Sequence, residues 1–230
     1  MSESRAREGQ AAGRSGPPRW LVIGFAVVAI AAVAFALGRF TAFGSSDTAA
    51  PPASDSAEAG FARDMQVHHA QAVDMAMTIY RSTQNDDVRM LAYDIATTQS
   101  GQRGEFADWL IQWGLSPTGE PLMSWMAGTD AHAAHGGATE AELTEAELRE
   151  HMGMATDAEL ARLAGATGTP ADCLFLELMI EHHEGALPMA QALIELGSNP
   201  RALQVARGVK QTQSSEIDAM QSLQRTLSCS

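Results

Sequence analysis

The sequence predicts an all-α protein: a four-helix bundle built from a duplicated helical hairpin, with a separate N-terminal transmembrane helix. Three observations predict it. A charge-free apolar stretch lies near the N-terminus, apolar residues recur at three- and four-residue steps from Phe61 onward, and a long segment recurs at one fixed offset.

The apolar stretch runs from Trp20 to Leu37 (WLVIGFAVVAIAAVAFAL). As a helix it is about 27 Å long, close to the roughly 30 Å hydrocarbon core of a bilayer. Arg5, Arg7, Arg14 and Arg19 precede it, which places the N-terminus in the cytoplasm and the remainder outside. The expected layout is a cytoplasmic tail over 1–19, a membrane anchor over 20–43 and a tether over 44–59, ahead of the bundle domain over 60–230. Ala34-Phe35-Ala36 resembles a signal cleavage site, so secretion after cleavage stays open as the alternative, although the run exceeds the usual length of a signal core. No Cys lies near the segment for a lipid anchor.

Charge is distributed unevenly. The tail carries four Arg and two Glu, whereas the chain after Arg39 carries ten basic and twenty-six acidic residues, a net of 10 − 26 = −16. Nucleic acid is therefore not an expected partner, because phosphate binding needs a basic face. The acidity fits a solvated surface and also fits attraction of cations.

Gly44–Ala59 is rich in Ala, Ser and Pro without apolar periodicity and reads as a flexible tether. Beyond it, FARDMQVHHAQAVDMA (Phe61–Ala76) and FLELMIEHHEGALPMA (Phe175–Ala190) share Phe, Met, His-His, Ala and Met-Ala. The offset is 175 − 61 = 182 − 68 = 114, and it also carries Asn85 onto Asn199 and Thr98-Gln99-Ser100 onto Thr212-Gln213-Ser214. Residues 61–113 thus repeat as 175–227 without a gap. Each copy reads as two helices, about 59–82 with 86–113 and 171–197 with 200–227. A hairpin cannot bury its apolar stripe alone, so the two copies are expected to pack together. The connection over 114–170 is too long for a simple loop. Its amphipathic stretch Glu140–Ala164, with Thr139 or Thr144 as N-cap, predicts one or two short helices across the bundle.

Cys173 and Cys229 have their midpoint at (173 + 229)/2 = 201, beside the Gly197–Pro200 turn. Antiparallel helices folded at that turn bring both to one end, and a disulfide is expected in an oxidising compartment.

Phe61, Met65, His68, Ala72, Met75 and Ile79 lie on one helical face, and Phe175, Met179, His182, Ala186, Met189 and Leu193 repeat it. His68 and His182 then point into the core with thioethers on the same face, while His69 and His183, about 100° round, lie at a helix–helix boundary. A single inward His is ordinarily a hydrogen-bonded core residue, and Met ordinarily fills irregular core space. Duplication changes the weighing, because two imidazoles and four thioethers converge on one core. Neutral imidazole and thioether are good ligands for Cu(I), and thioethers are poor ligands for Mg or Ca, so the expected ion is copper, as Cu(I) or Cu(II). The connection adds Met123-Ser-Trp-Met126, His132-Ala-Ala-His135 and His151-Met152-Gly-Met154, which together read as a surface that collects a soft or borderline metal.

No Glu stands three residues before any His, as di-iron bundles require, and there is no Cys-x-x-Cys-His, His-Glu-x-x-His or nucleophile elbow. No catalytic constellation is visible. The readings left open are a non-enzymatic metal-binding protein, a structural or interaction module, and a haem or redox-metal protein with His and Met ligands.

The doubled Met-x-x-His-His motif with its following Ala and Met-Ala, together with Met152-Gly153-Met154 and Phe-Leu-x-Leu-Met-Ile-x-His-His-Glu-Gly-Ala, resembles the bacterial domain of unknown function DUF305 over Phe61 to Leu227. The resemblance implies a ferritin-like fold and, as in some members, periplasmic copper binding linked to copper tolerance. It implies ligand roles for Met65, His68, His69 and Met75 in the first motif, for Met179, His182, His183 and Met189 in the second, and for Met152 and Met154 in the linker. It also implies sequestration of copper or its transfer to a partner that the sequence does not identify. Two positions depart from the family pattern: Pro188, where a helix kink is expected, and Cys173.

Overall fold

Helices form where the sequence supplies a period-3.6 apolar stripe bounded by capping residues, and both signals recur in each half of the chain. In the computed structural model, residues 50–127 and 143–229 are described. The expected cytoplasmic tail and anchor, residues 44–49 of the tether, His132, His135 and Thr139 lie outside them. Among the described residues there is no strand, and no helix is long and apolar enough to cross a membrane.

Four long helices carry the domain: α1 (Ala57–Ser82), α2 (Asp86–Trp113), α5 (Gly168–Leu196) and α6 (Pro200–Leu227). Asn85 and Asn199, related by the repeat, cap α2 and α6 in the same way, each side chain accepting two backbone N–H groups of the first turn. Gly114 ends α2 in the left-handed conformation (φ 68°). Ser56 caps α1, so the helix starts at Ala57 and the tether stops short of the expected residue 59. Ser54 is also fixed, because the buried Arg63 guanidinium donates to its carbonyl (2.6 Å) and its hydroxyl (3.0 Å). The last residues of the presumed tether therefore belong to the folded domain.

α1 packs on α2 and α5 on α6, and the two hairpins meet chiefly through α1 against α5. Glu58 ties the start of α1 to the α5–α6 turn, accepting from the backbone N–H groups of Ser198 and Asn199. Burial pushes its carboxyl upward, but these backbone bonds outweigh it and hold the pKa below the usual range. At the opposite end of α5, Cys173 and Cys229 form the expected disulfide, with Cα atoms 5.5 Å apart.

Two short helices fill the connection, α3 (Glu145–His151) and α4 (Asp157–Gly165), each opened by a Thr-x-x-Glu capping box at Thr144 and Thr156. The amphipathic stretch is thus broken at Met152–Thr156, where Gly153 adopts φ +72°. α5 runs without interruption through Pro188. Packing against α1 and α6 along its length supports the helix where proline removes one backbone bond.

Candidate metal centre

The α1–α5 contact places all four motif histidines at the centre of the domain, each fully buried. Their rings form a row in the order His69, His68, His182, His183, with centroids 6.1, 3.7 and 6.2 Å apart. The row reads the same from either end because His68 and His182 face each other where the duplicated helices cross.

Each ring uses Nε2 to donate to an oxygen. His68 Nε2 donates to the Met152 carbonyl (3.0 Å) and His182 Nε2 to the His68 carbonyl (3.0 Å). His69 Nε2 donates to Gln102 Oε1 and His183 Nε2 to Glu216 Oε2, both at 2.7 Å. Carbonyl and carboxylate oxygens only accept, so these bonds put a hydrogen on every Nε2. All four Nδ1 atoms are buried without a partner. Burial in apolar surroundings opposes protonation: it lowers the pKa of His68 to about 4, and, with repulsion from His68, it holds His69 and His182 well below the usual value. At neutral pH these three rings therefore present an unshared pair at Nδ1, one of the two ring nitrogens through which an imidazole can take a metal.

These shifts carry a sign for stability. A folded-state pKa of about 4 for His68 against an ordinary 6.5 means that the unfolded chain binds protons the native protein refuses. Stability is unaffected above about pH 6.5 and falls below it, because the unfolded state then carries more protons. From pH 7 to 5, above most carboxylate titration, His68 alone is expected to cost about 2 kcal/mol, and His69 and His182 act in the same direction. Urea unfolding at the two pH values measures this. Equal midpoints would contradict neutral burial.

The thioethers fall into two groups on either side of the row, a division that one shared ring of ligands around the core does not anticipate. Met65, Met152, Met154 and Met189 pack in one buried cluster with Met123 and Met126. Met75 and Met179 pack in another with Met220. The linker methionines are core residues, which corrects the expectation that they form a collecting surface. Thioethers are apolar, and the linker is held where they can be buried.

Several residues that hold the linker are not singled out by the sequence. Gln71 clamps Ala155 with both amide atoms, donating Nε2 to its carbonyl (2.8 Å) and accepting its N–H (2.7 Å). Asp64 Oδ2 accepts from Met123 N and Trp125 Nε1, each at 2.8 Å, which turns Met123 and Met126 inward. Gly185 has no room for a side chain: a Cβ there would lie 1.9 Å from the Met152 carbonyl oxygen. The glycine of His-His-Glu-Gly-Ala thus lets the linker backbone approach α5 so that His68 reaches Met152. Gln102 and Glu216 stand 216 − 102 = 114 apart, a signal already in the repeat. Gln99 and Gln213 repeat too, with buried amides that have no partner.

Among the described residues, no three His, Cys, Asp or Glu side chains gather as a metal cluster. The arrangement differs from a zinc or di-iron site. Its donors are imidazoles in adjacent pairs with thioethers on both sides, a soft set suited to Cu(I). The four orphaned Nδ1 atoms fit such an ion, since each otherwise buries an unmet acceptor.

The profile of the domain of unknown function DUF305 matches residues 58–224. The chain belongs to the DUF305 family. A DUF305 structure from Streptomyces coelicolor is similar at 39% identity and TM-score 0.65, covering 76% of this chain and 95% of that one. A DUF305 fragment from Deinococcus radiodurans is similar at 32% identity and TM-score 0.59, covering 73% and 94%. CopM in its Cu(I)-bound form is similar at 24% identity and TM-score 0.53, covering 74% and 96%, a likeness of fold. A search of curated proteins found no match.

Proposed function

We propose that this DUF305 domain is a non-enzymatic copper-binding protein, ferritin-like in its bundle, that works outside the cytoplasm to sequester copper or hand it on. The observation that carries this reading is the set of four buried Nδ1 atoms without partners, in a row between two thioether clusters. His68, His69, His182 and His183 would supply nitrogen. Met65, Met189, Met152 and Met154 on one side, and Met75 and Met179 on the other, would supply sulfur. The fold shared with CopM, whose structures include Cu(I)- and Cu(II)-bound forms, supports it. Export is supported by the charge-free run Trp20–Leu37, by a disulfide suited to an oxidising compartment, and by the provisional description of the Streptomyces coelicolor neighbour as secreted.

The test is an anaerobic Cu(I) titration of the full chain against a chromogenic competitor. The double variant His68→Ala, His182→Ala is expected to bind at least about 100-fold more weakly than the parent, since it removes the two central nitrogen donors. Equal affinity would refute the site. The hydrogen bonds satisfied at every Nε2 favour one rival reading, a purely structural core. That reading is upheld if copper leaves the melting temperature unmoved.

A further inference from the structure

The imidazole row is symmetric in shape and unsymmetric in charge. His69 and His183 are repeat equivalents, both fully buried, each with its Nε2 held at 2.7 Å by a side chain on the neighbouring helix. Only the acceptor differs. It is the neutral amide of Gln102 at one end and the carboxylate of Glu216, itself largely covered, at the other. A carboxylate that accepts the N–H of an imidazole makes the opposite ring nitrogen a stronger donor. It also sets a negative charge close to any cation held there, in surroundings where water screens little.

Both thioether clusters draw on all four long helices, so buried sulfur does not distinguish the two ends. One end is neutral and the other anionic.

Resting on the copper reading, we infer that Glu216 is a positioning residue that makes the two ends unequal, so that the His183 end takes Cu(II) more tightly than the His69 end does. The carboxylate offsets the second charge of the divalent ion, which the neutral amide of Gln102 does not. Glu216 acts through His183.

The experiment measures Cu(I) and Cu(II) affinities separately on the full chain, with a competitor for each ion, and records the electron paramagnetic resonance spectrum of the Cu(II) form. Glu216→Gln makes the ends alike. It should weaken Cu(II) binding about ten-fold or more and exceed its effect on Cu(I) by at least about five-fold. Gln102→Glu copies the carboxylate and should add a second tight Cu(II) equivalent with a spectrum like the first. Equal weakening of both ions by Glu216→Gln, or no gain of Cu(II) binding in Gln102→Glu, overturns the inference. Should Glu216→Gln not fold, the Gln102→Glu result decides. A parent protein that binds neither ion overturns the copper reading itself, whereas a parent that binds copper with both variants indifferent overturns only the role of Glu216.

Discussion

Gly185→Ala is expected to destabilise the protein by about 3 kcal/mol and to lift the Met152–Ala155 segment off α5. A methyl group at this position would lie 1.9 Å from the Met152 carbonyl oxygen, 2.4 Å from its carbon and 2.8 Å from Gly153 N, all backbone atoms with no rotamer to relieve the clash. Gly153 is itself locked, at φ +72° with the Glu181 carbonyl 2.4 Å from where its Cβ would be. Moving Met152 away also removes the acceptor of His68 Nε2, which leaves a buried donor unmet at a cost of about 1–3 kcal/mol. These losses exceed the gain of about 1 kcal/mol that alanine brings to a helix interior. Gly208 in α6 is the internal control: it is helical and exposed, and a Cβ there meets nothing within 4 Å. Gly208→Ala should therefore stabilise by up to about 1 kcal/mol. Urea unfolding of the two variants should move the midpoint in opposite directions, and movement in the same direction would show that Gly185 is an ordinary helical glycine.

Removing the disulfide gives the other large effect. Cys173 and Cys229 are 56 residues apart in sequence, and in the chain-entropy model closing a loop of that size stabilises by about 4 kcal/mol. The bridge joins the start of α5 to the end of α6, while Glu58 pins the turn at the far end of the same hairpin. Cys173→Ser with Cys229→Ser should therefore leave a folded but weakened protein, with the helical signal kept and unfolding shifted by about that amount. A change under about 1 kcal/mol would mean that the unfolded chain already holds these ends close.

The long helices were legible in the sequence because one apolar stripe and one capping Asn recur at a fixed offset. Asn85 and Asn199 mark the starts of α2 and α6, and the midpoint of the two cysteines located the turn between α5 and α6. The inward direction of His68 and His182 was legible for the same reason. The seat of the linker was not. Met152 and Met154 fall at the break in the amphipathic stretch, between α3 and α4, so nothing local tells whether such thioethers face water or core. Their burial depends on Gln71 and Gly185, as that of Met123 depends on Asp64, contacts made across long stretches of chain. Gln71 and Gly185 are repeat equivalents with opposite tasks, one side chain clamping the linker and one absent side chain making room for it. A repeat reveals what two copies share, and here the single linker is held by what they do not share. The same holds for Gln102 and Glu216, whose equivalence lay in the offset but whose contact with His69 and His183 required the packed helices.

Copper binding by this domain requires that ring nitrogens left bare in its interior, between two thioether clusters, receive a soft cation. X-ray absorption at the copper edge of the full chain loaded with one equivalent of Cu(I) tests this most directly. The expected spectrum contains imidazole nitrogen together with sulfur around the absorbing atom, and it loses the imidazole contribution when His68 and His182 are replaced. A shell of oxygen alone, or a spectrum that those replacements leave unaltered, would contradict it.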